Sequence, residues 1–351
     1  MPFVSAEELT EIAENALAAY GVPTDEARVV ARSLVASNLA GHDSHGVMRL
    51  PQYLEAIRAE SVVPGAPIEV IRETPSTAVL DAHWGFGQVA ATRAAEIAVA
   101  KAEACSLAGV AVHNSTHIGR LGEYVEIAAA RGMVGMLFVN GHGGAHNTVP
   151  WGGADARLCT NPLACAIPTG DAPIVIDIST SAVAEGKVRT YRIQGKPVPE
   201  GWIVDSDGNP TRDPNVLYQQ PPGSLLPLGG NVGYKGFALG LMVDVLAGAL
   251  SGAGCSSPDA RRGGNAFTFL AIDPRAFCGR DEFAAFAASL ISWVKSARLA
   301  PGAREILVPG EVERREAERR QKEGIPVPDE VWEQLTRLRS PAPTQTSGTR
   351  A

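Results

Sequence analysis

Apolar residues recur at helical spacing from the start of the chain. Leu9, Ile12, Ala13, Ala16 and Leu17 fall on one face, Ser5 with Glu8 three residues on forms a capping box that opens the stripe, and Gly21 closes it. A second stripe of Ala27, Val30, Ala31, Leu34 and Val35 predicts a helix running from Thr24 and stopping at Gly41. A third, with Leu50, Tyr53, Leu54 and Ile57, predicts a helix over 44–60 that Pro64 and Gly65 end. Residues 1–65 therefore read as a helical section.

Beyond residue 65 the pattern changes. Short β-rich runs at 68–71, 77–80, 110–112, 136–139, 163–167, 174–178 and 267–272 are separated by helical stretches at 88–105, 121–131, 182–190, 237–251 and 282–297. This alternation predicts an α/β domain over 66–310, a mixed sheet flanked by helices. Irregular connections occupy 140–158 and 194–232, and connections of that length in a compact domain usually carry function. A strongly charged helix begins at Glu311, in a C-terminal helical segment 311–339 expected to pack back on the first section; 340–351 reads as a disordered tail. No internal repeat is present.

The 351 residues carry 31 Lys plus Arg against 38 Asp plus Glu, and a net charge of −7 leaves no basic field to hold a phosphate backbone. Nucleic acid is not an expected partner. Glu7, Glu8, Glu11 and Glu14, with no early Lys or Arg, are the opposite of an export or transit segment, so the expected location is the cytoplasm. The run 236–255 is the best membrane candidate, but Asp244 stands in its middle among Gly and Ala, and it reads as a buried helix. Five cysteines without a C-x2-C pair read as reduced thiols.

The densest polar cluster is Gly-His-Asp-Ser-His-Gly-Val-Met-Arg at 41–49. With Ser44 as a cap, His45, Arg49 and Tyr53 follow at helical spacing and form one column, suited to binding an acid and moving a proton beside it. A capped helix start with a solvated charged face has the same pattern. At 112–122 a strand ends in small polar residues and a helix begins, the usual place for a ligand in an open α/β sheet, and His117 is the leading candidate there. A core histidine with satisfied hydrogen bonds is the competing reading. The glycines of 141–144 and 152–153, before Thr160, suit a flat ligand or a surface turn equally well. Asp177 at a strand end could hold a ribose, and Lys187, Tyr234 and Lys235 could meet anionic groups, although each also reads as ordinary surface.

Gly85-Phe86-Gly87-Gln88-Val89-Ala90 matches a dinucleotide fingerprint but is off pattern, because His83 and Trp84 intervene and no acidic residue ends the next strand. The pairs His42/His45 and His142/His146 resemble metal ligands and support an alternative, a metal-dependent hydrolase; Gly143 and Gly144 disfavour a helical pair, and no metal site is assigned. A non-catalytic dimer that binds a small acid is a further alternative. Neither a G-x-S-x-G elbow nor a P-loop is present.

The 41–49 stretch, Ser-Thr-His-Ile-Gly at 115–119, Pro-Trp-Gly-Gly at 150–153, Thr-Asn-Pro-Leu at 160–163, 177–187, Pro-Glu-Gly-Trp at 199–202, Gly-Tyr-Lys-Gly at 233–236 and Pro-Gly-Glu at 309–311 together resemble the type 2 malate/L-lactate dehydrogenase family. Its relatives include ureidoglycolate and sulfolactate dehydrogenases and piperideine/pyrroline-2-carboxylate reductases. The resemblance spans roughly residues 9–326. It implies a homodimeric oxidoreductase that moves hydride between NAD or NADP and C2 of a small 2-hydroxy, 2-oxo or cyclic 2-imino acid. It also implies a non-Rossmann NAD(P)-binding fold with a helical N-terminal section. Ser44 and His45 resemble the relay and proton donor of the reductase branch, and His117 the acid/base histidine of the ureidoglycolate branch. Arg49 is similar to the carboxylate clamp, with Thr160 and Lys187 near the substrate; Tyr53, from the column above, is a further expected substrate contact. The implied cofactor contacts are His117, Ile118, Gly119, Arg120, Leu121, Asn140, Asp177, Ile178, Ser179, Tyr234, Lys235, Pro309 and Gly310. Two departures stand out: Cys159, where the family more often has Gly, and the insertion-like stretch at 142–144.

Overall fold

A computed structural model describes residues 1–142, 146–259 and 262–338. Gly143, Gly144 and the expected tail at 340–351 lie outside the described residues. The chain divides into two compact units, Met1–Gly65 with Val312–Ala351, and Ala66–Glu311.

In the helical unit, Ser5 Oγ accepts the Glu8 N–H at 3.1 Å and opens helix Ala6–Ala19, which buries the predicted stripe of Leu9, Ile12, Ala13, Ala16 and Leu17. Gly21 adopts φ 78° just past its end, the left-handed region that glycine enters without strain. Helix Thr24–Leu39 follows, then the short 3-10 turns Asp43–His45 and Val47–Arg49, and helix Leu50–Arg58. This corrects the helix expected over 44–60. Gly46 takes extended backbone between the two turns, and Pro51, in the first turn of the Leu50–Arg58 helix, suits a helix start rather than an interior. Ser44 caps no helix, and the His45, Arg49, Tyr53 column does not form; Tyr53 is turned into the core. Two-residue strands Phe3–Val4 and Ile325–Pro326 pair antiparallel, linking the N-terminus to the segment after helix Glu311–Glu323.

The second unit is built on a seven-stranded sheet in the order Glu69–Glu73, Thr77–Asp81, Leu107–Ser115, Gly264–Ile272, Val134–His142, Leu163–Ile167 and Ile174–Ile178. Only Thr77–Asp81 and Leu107–Ser115 run parallel, and helix Gly87–Cys105 makes the crossover between them. That helix buries Ala90, Ala91, Ala94, Ala95, Ala98 and Ala102, a face of small residues that lets it lie close on the sheet. Helix Gly122–Ala129 comes closer still: a Cβ at Gly135 would sit 2.7 Å from Val125 O. Leu80, Val110, Leu137, Phe267 and Phe269 are sealed between sheet and helices.

The register aligns one end of the sheet. Asp81 stands opposite His113, Asn265 opposite Ser115, Gly264 opposite His142, and Leu163 opposite Ile178. The connection at 194–232, expected to be irregular, contains a three-stranded sheet of Ile203–Val204, Pro210–Thr211 and Ser224–Leu225. Helix Tyr234–Asp244 continues through a π turn, Val245–Ala249. Asp244 is buried there, but Leu241, Met242 and Val245 are exposed, so the expected buried helix has an open face. Among the described residues no disulfide forms and no helix is long and apolar enough to cross a membrane.

Gly87 does open a helix after a strand, as the dinucleotide fingerprint requires, but its surroundings differ. Its N–H donates to Thr116 Oγ1 at 3.1 Å, and the Thr116 hydroxyl donates to Gly85 O at 2.9 Å. A Cβ at Gly87 would meet Thr116 O at 2.3 Å. The glycine thus admits the chain's own backbone at 116–117. We predict that Gly87→Ala destabilises the fold by about 1–3 kcal/mol through overpacking against that backbone. An unchanged denaturant midpoint would show that the approach is not constraining.

Candidate active site

The helical unit carries Ser44, His45 and Arg49 on the pair of 3-10 turns. Ser44 Oγ lies 3.2 Å from His45 Nδ1, so the hydroxyl and the imidazole act on one another directly. Arg49 Nε donates to Ser44 O at 2.7 Å and Nη1 to Gln52 Oε1 at 2.7 Å. Two donors therefore fix the plane of a guanidinium whose geometry suits a carboxylate. His42 Nε2 faces Glu313 Oε1 at 3.4 Å.

In the sheet unit, the loop from His117 to Leu121 leaves the aligned strand ends. Ile118 N–H donates to Asn265 Oδ1 at 3.2 Å, and Asn265 Nδ2 donates to Asn140 O at 3.2 Å, so one side chain ties this loop to Asn140. The Tyr124 hydroxyl donates to Ile118 O from below. Arg120 is buried and pairs with Glu126 at 3.2 Å, while Gly122 leaves it room: a Cβ there would lie 2.4 Å from Arg120 Nη1. Asp177 Oδ2 accepts the Gly122 N–H at 2.8 Å, so this carboxylate caps a helix start in addition to any ligand it meets. Thr160 O accepts from the Thr180 amide and hydroxyl, both at 3.0 Å. Cys159 Sγ occupies the space a Cβ at Gly141 would take, 2.5 Å away, so glycine at 141 accommodates the cysteine that departs from the family pattern. Burial pushes the Cys159 thiol up, away from thiolate character.

His117 to Leu121, Asn140, Thr160 and Asp177 to Ser179 therefore gather at one end of the sheet. Tyr234 and Lys235 begin the Tyr234–Asp244 helix, with Tyr234 edge-on to Trp151 at 6.4 Å, and Lys187 is exposed on helix Glu185–Ile193. Pro309 and Gly310 join elsewhere: Pro309 O accepts from Val175 N at 3.1 Å, three residues before Ile178. A surface recess of about 810 Å³ opens near Gly132, Pro168 and Arg280, by the opposite end of the sheet, and none of the sequence candidates lines it.

Some of the same strand end was not read from the sequence. Asp81 accepts the His83 amide at 2.8 Å and Asn114 Nδ2 on both oxygens at 3.1 Å, with His113 Nε2 at 3.4 Å. Burial raises its carboxyl, but the His83 and Asn114 donors and the two nearby imidazoles outweigh it and hold the group below its usual range. His83, Trp84 and Asn114 all have left-handed backbone, φ 45°, 63° and 51°, a concentration of strain typical of functional loops. The intrusion of His83 and Trp84 into the glycine fingerprint was the available signal. Asn265 had none, since only strand pairing brings it here.

Arg262 stacks over Trp84 at 4.3 Å and the His142 ring stands 5.8 Å from that of Trp84. Among the described residues no group of three His, Cys, Asp or Glu side chains could hold a metal ion. A nicotinamide dinucleotide fits better. The helix starts at Gly87 and Gly122 already have side-chain acceptors; the start at Tyr234, with Gly233 as its cap residue, follows a left-handed turn at Gly229 and Gly230 and carries exposed Tyr234 and Lys235. With Lys187 and exposed Ile178 at a strand end, the donor set suits an elongated anion with flat rings, without a Rossmann cradle.

Comparison with known proteins agrees with this geometry. The sequence profile described as malate/L-lactate dehydrogenase matches residues 4–336. The chain is 36% identical over 343 residues to a malate dehydrogenase of Pyrococcus abyssi, covering 95% of this chain and 93% of that one. It is 37% identical over 342 residues to an L-lactate dehydrogenase of Cupriavidus necator, covering 95% and 96%. The fold is similar to the crystal structure of malate dehydrogenase from Entamoeba histolytica, with TM-score 0.90, 29% identity and coverage of 96% and 97%. This chain belongs to the malate/L-lactate dehydrogenase family, oxidoreductases that act on CH–OH groups with a nicotinamide cofactor.

Proposed function

We propose that the protein is a cytoplasmic, homodimeric NAD(P)-dependent dehydrogenase that interconverts a small 2-hydroxy acid and its 2-oxo acid, or reduces a cyclic 2-imino acid. The observation that carries this reading is the Ser44–His45 contact on the same pair of turns as Arg49: a proton-transfer pair and a carboxylate-binding cation built into one short segment.

Arg49 binds the substrate carboxylate. Ser44 Oγ accepts from the Nδ1–H of a protonated His45, leaving Nε2 to hand its proton to the oxygen or nitrogen on C2. Bound NAD(P)H supplies the hydride that C2 receives. Tyr234, Lys235, Asn140, Ile178, Ser179 and the 117–121 loop would hold that cofactor, and Thr160 and Lys187 are the further proposed substrate contacts. His117 is the second candidate for the proton donor, supported by its place on the loop that Asn265 pins at the strand ends.

We expect absorbance at the nicotinamide band to fall when 2-oxo acids and cyclic imines are offered with NADH or NADPH; silence across the panel with both cofactors would remove the reading. His45→Ala should lower kcat by about 10² to 10⁴ while NADH fluorescence still reports binding. If His45→Ala keeps near-normal turnover and His117→Ala does not, the proton belongs to His117. For Arg49→Lys we expect KM for carboxylates to rise because the two-pronged geometry is lost. Unchanged KM and kcat would exclude the clamp.

A further inference from the structure

The turn that presents Ser44 and His45 has little internal support. Its own backbone bonds are His45 N to His42 O, Gly46 N to Asp43 O and Arg49 N to Gly46 O, each 2.9 Å, and short 3-10 pieces of this kind are poorly stable alone. Arg49 Nε adds a bond to Ser44 O at 2.7 Å, and further hold comes from side chains on two other helices. Asn38, buried near the end of the Thr24–Leu39 helix, accepts Val47 N–H on Oδ1 at 2.8 Å and donates from Nδ2 to Asp43 Oδ1 at 2.6 Å. One amide thus grips the chain on both sides of Ser44 and His45. Glycine at 46 is required for this approach, since a Cβ there would lie 2.2 Å from Asn38 Oδ1.

Arg320, on the Glu311–Glu323 helix, completes the brace. Its Nη1 donates to Asp43 Oδ1 at 2.6 Å and to Asn38 O at 2.7 Å, and its Nη2 to Asp43 Oδ2 at 3.1 Å. The Arg320 side chain is 8% exposed, and its Nε is bound to Glu316 Oε1 at 2.5 Å. Arg319 and Arg320 hold the Glu316 carboxyl down at about 2, so Glu316 stays charged and keeps the fork oriented. A two-pronged contact from a buried guanidinium, here to a carboxylate that is itself 41% exposed, constrains direction as well as distance.

We propose that Asn38, Asp43 and Arg320 are positioning residues for the reaction: the C-terminal helix braces the Asp43–His45 turn and thereby sets how His45 delivers its proton. This rests on the reading of His45 as the donor. Asp43 and Arg320 touch no reacting atom in this scheme, so their effect has to pass through His45.

The test is a double-mutant cycle on the intact protein. Arg320→Lys, which keeps the charge and loses the fork, should lower kcat about tenfold or more, with little change in NADH affinity or melting temperature. In a His45→Ala background the same substitution should lower residual kcat no further, because no donor is left to position. Equal losses in both backgrounds would mean a general structural role and overturn the proposal, as would undiminished kcat in Arg320→Lys. If Arg320→Lys does not fold, the isosteric Asp43→Asn enters the same cycle with the same expectations. Should His45→Ala itself keep full turnover, the donor reading and the proposal fall together; a His45→Ala loss with additive brace effects removes the proposal alone.

Discussion

The register of the Gly264–Ile272 strand is the constraint on which the sheet unit depends. It pairs with Leu107–Ser115 on one side and Val134–His142 on the other, and a slip of one residue would exchange the face carrying Phe267 and Phe269 with the face carrying Thr268. The same register carries Asn265 to the point where it bonds both Ile118 N–H and Asn140 O. Core packing and site geometry are therefore two results of one pairing. The hydrophobic side of the strand makes the register costly to change, and the polar residue at its start benefits from that rigidity.

A second consequence concerns helix starts. Backbone N–H groups at the first turn of a helix need acceptors, and a Rossmann fold offers them to a pyrophosphate. In this chain Thr116 and Asp177 supply the acceptors at Gly87 and Gly122. The glycines of the apparent fingerprint bring the crossover helix against the 116–117 backbone instead. Under the proposed function, anion recognition shifts to Lys187, Lys235 and the helix start at Tyr234. A net charge of −7 then belongs to the general surface, and local cations attract the anionic ligands against it.

The 41–49 segment shows how composition can be legible while shape is not. Gly, His, Ser and Arg crowded into nine residues marked it as a site, and Ser44 does contact both His45 and Arg49. The helical column failed because Gly46 interrupts the helix, and because Asn38 and Arg320 hold the segment from other helices. Periodicity reports which face of a regular element is buried. It is silent about a turn whose conformation is imposed from outside.

By itself the sequence determined the elements whose information is local: the first helix with its cap and buried stripe, strands Leu163–Ile167 and Ile174–Ile178 to the residue, and the ordered motifs that mark the family. Each depends on side chains only a few positions apart. Tertiary structure alone decided the rest: Asp81 beside His113, Asn265 against Ile118, Cys159 in the space beside Gly141, and Arg320 on Asp43. These contacts join residues far apart in the chain, and no local spacing records them. They arise because strand register and helix packing satisfy buried hydrophobic area first, and the polar groups so brought together must then find hydrogen bonds with one another.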